Sequence, residues 1–127
     1  MAGKYKVLIA DDEDDIRMIG QAVLMGKGYD VVPAEDGQKA WEAYQEQKNF
    51  SVLLTDIDMP RMDGIELVTK IKEDNPNFPI VVFTARDSDT NRELIEKAGV
   101  GYFIEKPFEN TVLAETIGKA LRGEKQE

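Results

Sequence analysis

Carboxylates run without a break through Asp11, Asp12, Glu13, Asp14 and Asp15; two more stand at Asp56 and Asp58, and a hydroxyl and an ammonium, Thr84 and Lys106, each close a later apolar run. Asp56 directly follows Val52-Leu53-Leu54-Thr55, which reads as a buried strand, where an ionised carboxylate without a partner is costly. Asp11 and Asp12 follow Val7-Leu8-Ile9-Ala10 in the same way, and like charges at neighbouring strand exits repel unless a cation neutralises them. Hard oxygen donors of this kind suit Mg²⁺, which keeps several waters and binds one or two carboxylates together with a phosphate. Carboxylate, divalent ion, ammonium and hydroxyl together make a phosphoryl-transfer site. The cations neutralise the equatorial oxygens, the hydroxyl bonds one of them, and a carboxylate attacks in line. Taken singly, the same residues have plainer uses. Glu13 to Asp15 read as first-turn acids meeting a helix dipole, Asp63 as a helix cap, Asp58 as a solvated loop charge, Thr84 as a β-branched strand residue and Lys106 as a snorkelling side chain.

The elements that must hold these groups recur every 20 to 25 residues or so. Val7-Leu8-Ile9-Ala10, Val31-Val32, Val52-Leu53-Leu54, Ile80-Val81-Val82-Phe83 and Tyr102-Phe103-Ile104 read as strands. Between and after them lie stripes of helical period: Ile16, Ile19, Val23; Ala40, Ala43, Tyr44; Leu67, Val68, Ile71; Leu94, Ile95, Ala98; and Leu113, Ile117, Ala120, Leu121. Gly26 and Gly28, Asn75-Pro76 and Ala98-Gly99 can close helices, while Asp36-Gly37 and Asp63-Gly64 can open them. The expected fold is α/β, (βα)₅, with a parallel sheet covered by helices on both faces through right-handed crossovers. In such sheets ligands collect at the carboxyl ends of the strands, which is where Asp11, Asp12, Asp56, Asp58, Thr84 and Lys106 fall.

At 127 residues the chain is expected to form a single domain, 1–127, with a core over about 6–121 and a polar tail at 122–127. A net charge of −9 argues against a nucleic-acid-binding or anionic-lipid surface. With no Cys there is no disulfide, thiolate metal site or Cys nucleophile. With no His there is no imidazole base, no His-ligated zinc, and no phosphohistidine on this chain. No stretch is long enough for a secretory signal or membrane span, so a cytoplasmic location is the expectation.

Five segments in order carry a further likeness: Val7-Leu8-Ile9-Ala10-Asp11-Asp12-Glu13; Glu35-Asp36-Gly37; Leu53 through Gly64; Val82-Phe83-Thr84-Ala85; and Ala98-Gly99 through Lys106-Pro107-Phe108. From Lys6 to about Leu121 the chain resembles a receiver domain of two-component response regulators, of the chemotaxis-regulator kind. The resemblance implies a flavodoxin-like sheet of order 2-1-3-4-5. It implies Asp56 as the acceptor of phosphoryl from a sensor histidine kinase or histidine phosphotransfer protein. Asp12 would ligate Mg²⁺ directly, Asp11 mostly through water, and Asp58 through its backbone carbonyl. Thr84 would move to meet the phosphoryl group, Lys106 would pair with it, and Lys106-Pro107 is commonly cis. Phe103 stands where the family often has a Tyr that turns inward on activation, so it offers no hydroxyl. Asp58 and Arg86 occupy positions that tune phosphate loss. The face of the fourth helix, fifth strand and fifth helix would carry the signal to an output protein or domain that the sequence does not name. Two other readings exist. Asp56-Ile57-Asp58 also has the D-x-D form of haloacid-dehalogenase-type phosphatases, and a receiver can serve as a phosphorylation-independent binding module.

Overall fold

The computed structural model describes residues 5–47, 49–85 and 89–124. Strands and helices alternate as β1 Lys6–Ala10, α1 Asp14–Gly26, β2 Asp30–Ala34, α2 Gly37–Gln47, β3 Val52–Asp56, α3 Gly64–Asp74, β4 Ile80–Ala85, α4 Asp89–Lys97, β5 Tyr102–Lys106 and α5 Asn110–Arg122. All strand pairs are parallel, and the sheet order is β2-β1-β3-β4-β5. The order turns back at β1, so the crevice between the ends of β1 and β3 is the topological switch point at which open α/β sheets bind ligands. Pro33 is tolerated in β2 because β2 is an edge strand.

Alternation along the central strands divides the core in two. Leu8, Ala10, Leu53 and Val82 face α2, α3 and α4, packing with Ala40, Leu67, Ile71 and Ile95. Val7, Ile9, Val52, Leu54, Val81, Phe83 and Ile104 face α1 and α5, packing with Leu24, Leu113 and Ile117. A strand buried on both faces needs no polar residue, which is why β1 and β3 read as unbroken apolar runs.

Two helical stripes differ from expectation. Ile19 is 46% exposed, whereas Gly20 and Leu24 are buried. The sheet-facing line of α1 passes through Gly20, where a Cβ would lie 2.6 Å from Ile9 Cδ1, so the contact is made through a glycine that an apolar count passes over. On α4, Ile95 is buried but Leu94 is 38% exposed. The other three stripes face the core, with Ala43 and Leu121 at its margin.

Candidate functional site

The ends of β1, β3 and β5 converge on a cavity of about 300 Å³ lined by Asp12, Glu13, Asp56, Asp58 and Lys106. Asp56 ends β3 and is held from two sides: its Oδ1 accepts from Ile57 N at 2.8 Å, and its carbonyl accepts from Thr55 Oγ1 at 2.8 Å. Behind it, α3 starts so close that a Cβ on Gly64 would stand 1.9 Å from the Asp56 carbonyl oxygen, while Gly64 N donates to Ile57 O at 2.7 Å. Only glycine permits that approach. Asp63 caps the helix by accepting from Glu66 N at 2.8 Å, as its sequence position suggests.

Asp11 is fully buried at the end of β1; its Oδ1 accepts from Glu13 N at 2.9 Å, and its Oδ2 accepts no hydrogen bond from the described residues. Arg17, which the sequence did not single out, donates to the Asp11 carbonyl at 2.8 Å and to Asp14 Oδ1 at 2.5 Å. Lys106 reaches over from β5 with its ammonium 3.2 Å from Asp11 Oδ2, 3.3 Å from Asp56 Oδ2 and 3.0 Å from Glu13 Oε1. The ammonium also lies 5.4 Å from the Phe83 ring centroid, and that ring stacks on Phe108. The Lys106-Pro107 bond is cis.

These surroundings set the charges. The Asp56 carboxyl is raised to about 6, chiefly by burial and further by Asp11, against the pull of Lys106 and the bond from Ile57 N. Burial likewise raises Asp11, against the bond from Glu13 N and the pull of Lys106. For Lys106 burial acts downward, but Asp56 and Asp11 more than offset it and keep the ammonium above its usual value. Asp11, Asp12 and Asp56 each offer a carboxylate oxygen, all within 4.8 Å of one another. A buried carboxylate oxygen faced only by an ammonium that it shares with Asp56 and Glu13, beside two more hard oxygens, fits a small divalent ion such as Mg²⁺.

Four sequence candidates thus meet at the mouth with Asp11 just beneath it: Asp12, Asp56, Asp58 and Lys106. Thr84 is buried on β4, one residue past the Asp56–Phe83 register pair and level with Glu105. Phe103 sits further back, level with Val82, half-buried, with the Arg92 guanidinium 4.8 Å from its ring centroid. Arg86 lies outside the described residues, so no Asp58–Arg86 pair is described. Glu13 corrects expectation. It precedes α1 and makes no side-chain cap bond, and its carboxylate goes to Lys106, leaving Asp14 and Asp15 as the first-turn acids. Nothing local in the sequence distinguishes it, because its partner is 93 residues away.

A larger groove of about 470 Å³ opens at the other end of the sheet, beside the starts of β4 and β5. Three of its polar side chains are already committed: Lys72 to the Gly99 carbonyl, Tyr102 to the Glu124 carbonyl, and Arg122 to Glu124. The unmet polar demand is at the acid end.

Sheet order and switch-point crevice define a doubly wound α/β module with an acid–lysine cluster at its ligand edge, and residues 7–118 match the response regulator receiver domain family, to which the chain belongs. Receiver domains are the phosphorylation-activated switches of two-component systems, regulators and not enzymes in their own right. The chain is 38% identical to the chemotaxis protein CheY1 of Helicobacter pylori over 119 residues, 91% of this chain and 96% of that one. It is 37% identical over 103 residues to the transcriptional regulatory protein SrrA of Staphylococcus aureus, covering 81% of this chain and 42% of SrrA. In three dimensions it is similar to the chemotaxis response regulator CheY4 of Vibrio cholerae, with a TM-score of 0.85 and 29% identity over 93% of this chain and 99% of that one. The D-x-D at Asp56-Ile57-Asp58 therefore belongs to a receiver and follows β3, not the first strand that a haloacid-dehalogenase-type phosphatase would use. No helix among the described residues is long and apolar enough to cross a membrane.

Proposed function

We propose that Asp56 accepts a phosphoryl group from a phosphohistidine on a sensor histidine kinase or histidine phosphotransfer protein, and that the modified chain binds its output partner with altered affinity. The observation that carries this reading is the Lys106 ammonium set 3.3 Å from Asp56 Oδ2 beside the Asp11, Asp12 and Asp56 oxygens. The chain has no histidine of its own, so the phosphohistidine is supplied by the partner. An Asp56 carboxylate oxygen attacks phosphorus in line, the P–N bond breaks, and its electron pair goes to the ring nitrogen. With the other ring nitrogen of the phosphohistidine protonated, the products are an acyl phosphate on Asp56 and neutral imidazole on the donor. With its carboxyl at about 6, Asp56 is mostly ionised at pH 7 and able to attack.

Asp12, Asp56 and the Asp58 carbonyl would hold Mg²⁺, with Asp11 acting through water; when bound, the ion supplies positive charge to the phosphoryl oxygens. Lys106 pairs with the phosphoryl group from the β5 side. Thr84 then moves its hydroxyl to a phosphoryl oxygen and Phe103 shifts with it, which changes the face made by α4, β5 and α5. The phosphoryl group makes those contacts in one arrangement only and so favours it. Arg92 on α4 lies over Phe103 and pairs with Glu105 on β5 at 2.7 Å, which ties the two elements together on that face. Asp58 and Arg86 tune the lifetime, with Arg86 shielding the acyl phosphate from water; Arg86→Ala is expected to shorten the lifetime and leave Mg²⁺ affinity nearly unchanged.

Acetyl phosphate with Mg²⁺ is expected to add one phosphoryl group by intact mass, and chelation to prevent it. Full labelling of Asp56→Asn would refute the assignment. An unlabelled wild type would favour the phosphorylation-independent binding module.

A further inference from the structure

We infer that Glu13 is a positioning residue for Lys106: it holds the ammonium at the mouth of the site until a phosphoryl group on Asp56 displaces it. This rests on the reading of Asp56 as the acceptor. An ammonium has three protons to donate, and in this structure three carboxylates surround it. The nearest is Glu13, at 3.0 Å and in hydrogen-bond geometry. Glu13 is also the outermost, its side chain 61% exposed against 18% for Lys106 and 0% for Asp11. Its backbone is fixed at both ends, N–H to Asp11 Oδ1 at 2.9 Å and carbonyl from Arg17 N at 3.0 Å, so the side chain is aimed and not merely near.

Two consequences follow from charge alone. Glu13 takes a share of the ammonium that would otherwise be open to a phosphoryl group, and it adds a negative charge at the mouth by which a dianion enters. Both act against phosphorylation by a small donor. Glu13→Gln keeps the reach and removes the charge. At saturating Mg²⁺ its rate with acetyl phosphate should rise about three- to tenfold, the size expected for one charge several ångströms from a dianion in a solvated, salt-screened mouth. Glu13→Asp keeps the charge at the start of α1 but is one methylene shorter.

The ζ-ammonium resonance of Lys106, recorded by NMR in metal-free unphosphorylated protein, separates contact from helix charge. It should move in both variants. A resonance unchanged in Glu13→Gln, or moved in Glu13→Gln yet unchanged in Glu13→Asp, would overturn the inference, as would an unchanged rate in Glu13→Gln while wild type labels normally. A wild type that does not label at all would refute the acceptor reading instead, and the ammonium resonance would still decide whether Glu13 holds Lys106.

Discussion

Two aspartates, Asp11 and Asp36, follow neighbouring strands, β1 and β2, and both are fully buried, yet their surroundings differ in kind. Asp36 accepts from Lys39 N at 2.8 Å and from Arg61 Nε at 2.8 Å, with a second guanidinium nitrogen of Arg61 at 2.7 Å. Burial pushes its carboxyl up, but these donors more than offset that and hold it below the usual value. Asp11 has one oxygen bonded to Glu13 N and the other 3.2 Å from the Lys106 ammonium, which it shares with Asp56 and Glu13; there burial outweighs both partners and its carboxyl is raised. An acid that serves the fold finds its donors inside the fold. An acid that serves a ligand is left with demand that the ligand must meet, and until then its charge opposes folding.

Opposite signs of substitution would sharpen this contrast, and equal signs would break it. Asp36→Asn presents amide protons toward Arg61, which can only donate, and loses the charge that both donors address. A loss of about 3 kcal/mol is expected, roughly 10 °C in melting temperature by calorimetry. Asp56→Asn should do the reverse in chelator at pH 7.5. A carboxyl moved from an ordinary 3.8 to about 6 sets a ceiling of about 3 kcal/mol, of which about 2 should be recovered by a neutral isostere. Saturating Mg²⁺ should shrink or reverse that gain, since the acid is then the better partner.

The pH dependence follows with opposite windows. For Asp56 and Asp11 the folded state binds the proton more tightly than the unfolded chain, so their contribution to stability falls as pH rises above about 3.8, for Asp56 through about 6. Asp36 stabilises above about 3.8, and that contribution is lost as pH falls through its depressed folded value. In chelator the melting advantage of Asp56→Asn over wild type should therefore vanish toward pH 4 and be complete by pH 7. An advantage that stays constant over that range would mean that charge is not its cause.

This contrast explains what the sequence discloses. β1 and β3 are buried on both faces, so their apolar runs, and the acids that end them, stand out in a linear reading. Lys106 and Asp56 are legible for the same reason: strand ends at known spacing must arrive at one edge. The Glu13–Lys106 contact is not, because a local reading of Glu13 as a helix-dipole acid is equally consistent with its neighbours. The burial of Gly20 in place of Ile19 escapes because periodicity counts apolar types, and a glycine fills that place by letting Ile9 close in. The Asp36–Arg61 clamp escapes because it depends on a backbone conformation that an arginine seldom adopts.

That conformation gives the smallest effect and the finest test. Arg61 has φ 68°, and Met62 N donates to Pro60 O at 2.7 Å, closing a three-residue turn around it. L-residues avoid this region and glycine does not, so the clamp is made at a site where the backbone is strained. The Arg61 side chain is 60% exposed, which limits what its pairing with Asp36 contributes. Arg61→Ala removes the pair and keeps the strain, whereas Arg61→Gly removes both. Melting temperatures should therefore fall in the order wild type, Gly, Ala, with the Gly variant only slightly below wild type. Equal melting of the Ala and Gly variants would show that the turn stores no strain. A drop in either as large as that of Asp36→Asn would show that the guanidinium, and not the bond from Lys39 N, is what keeps the buried Asp36 charge tolerable.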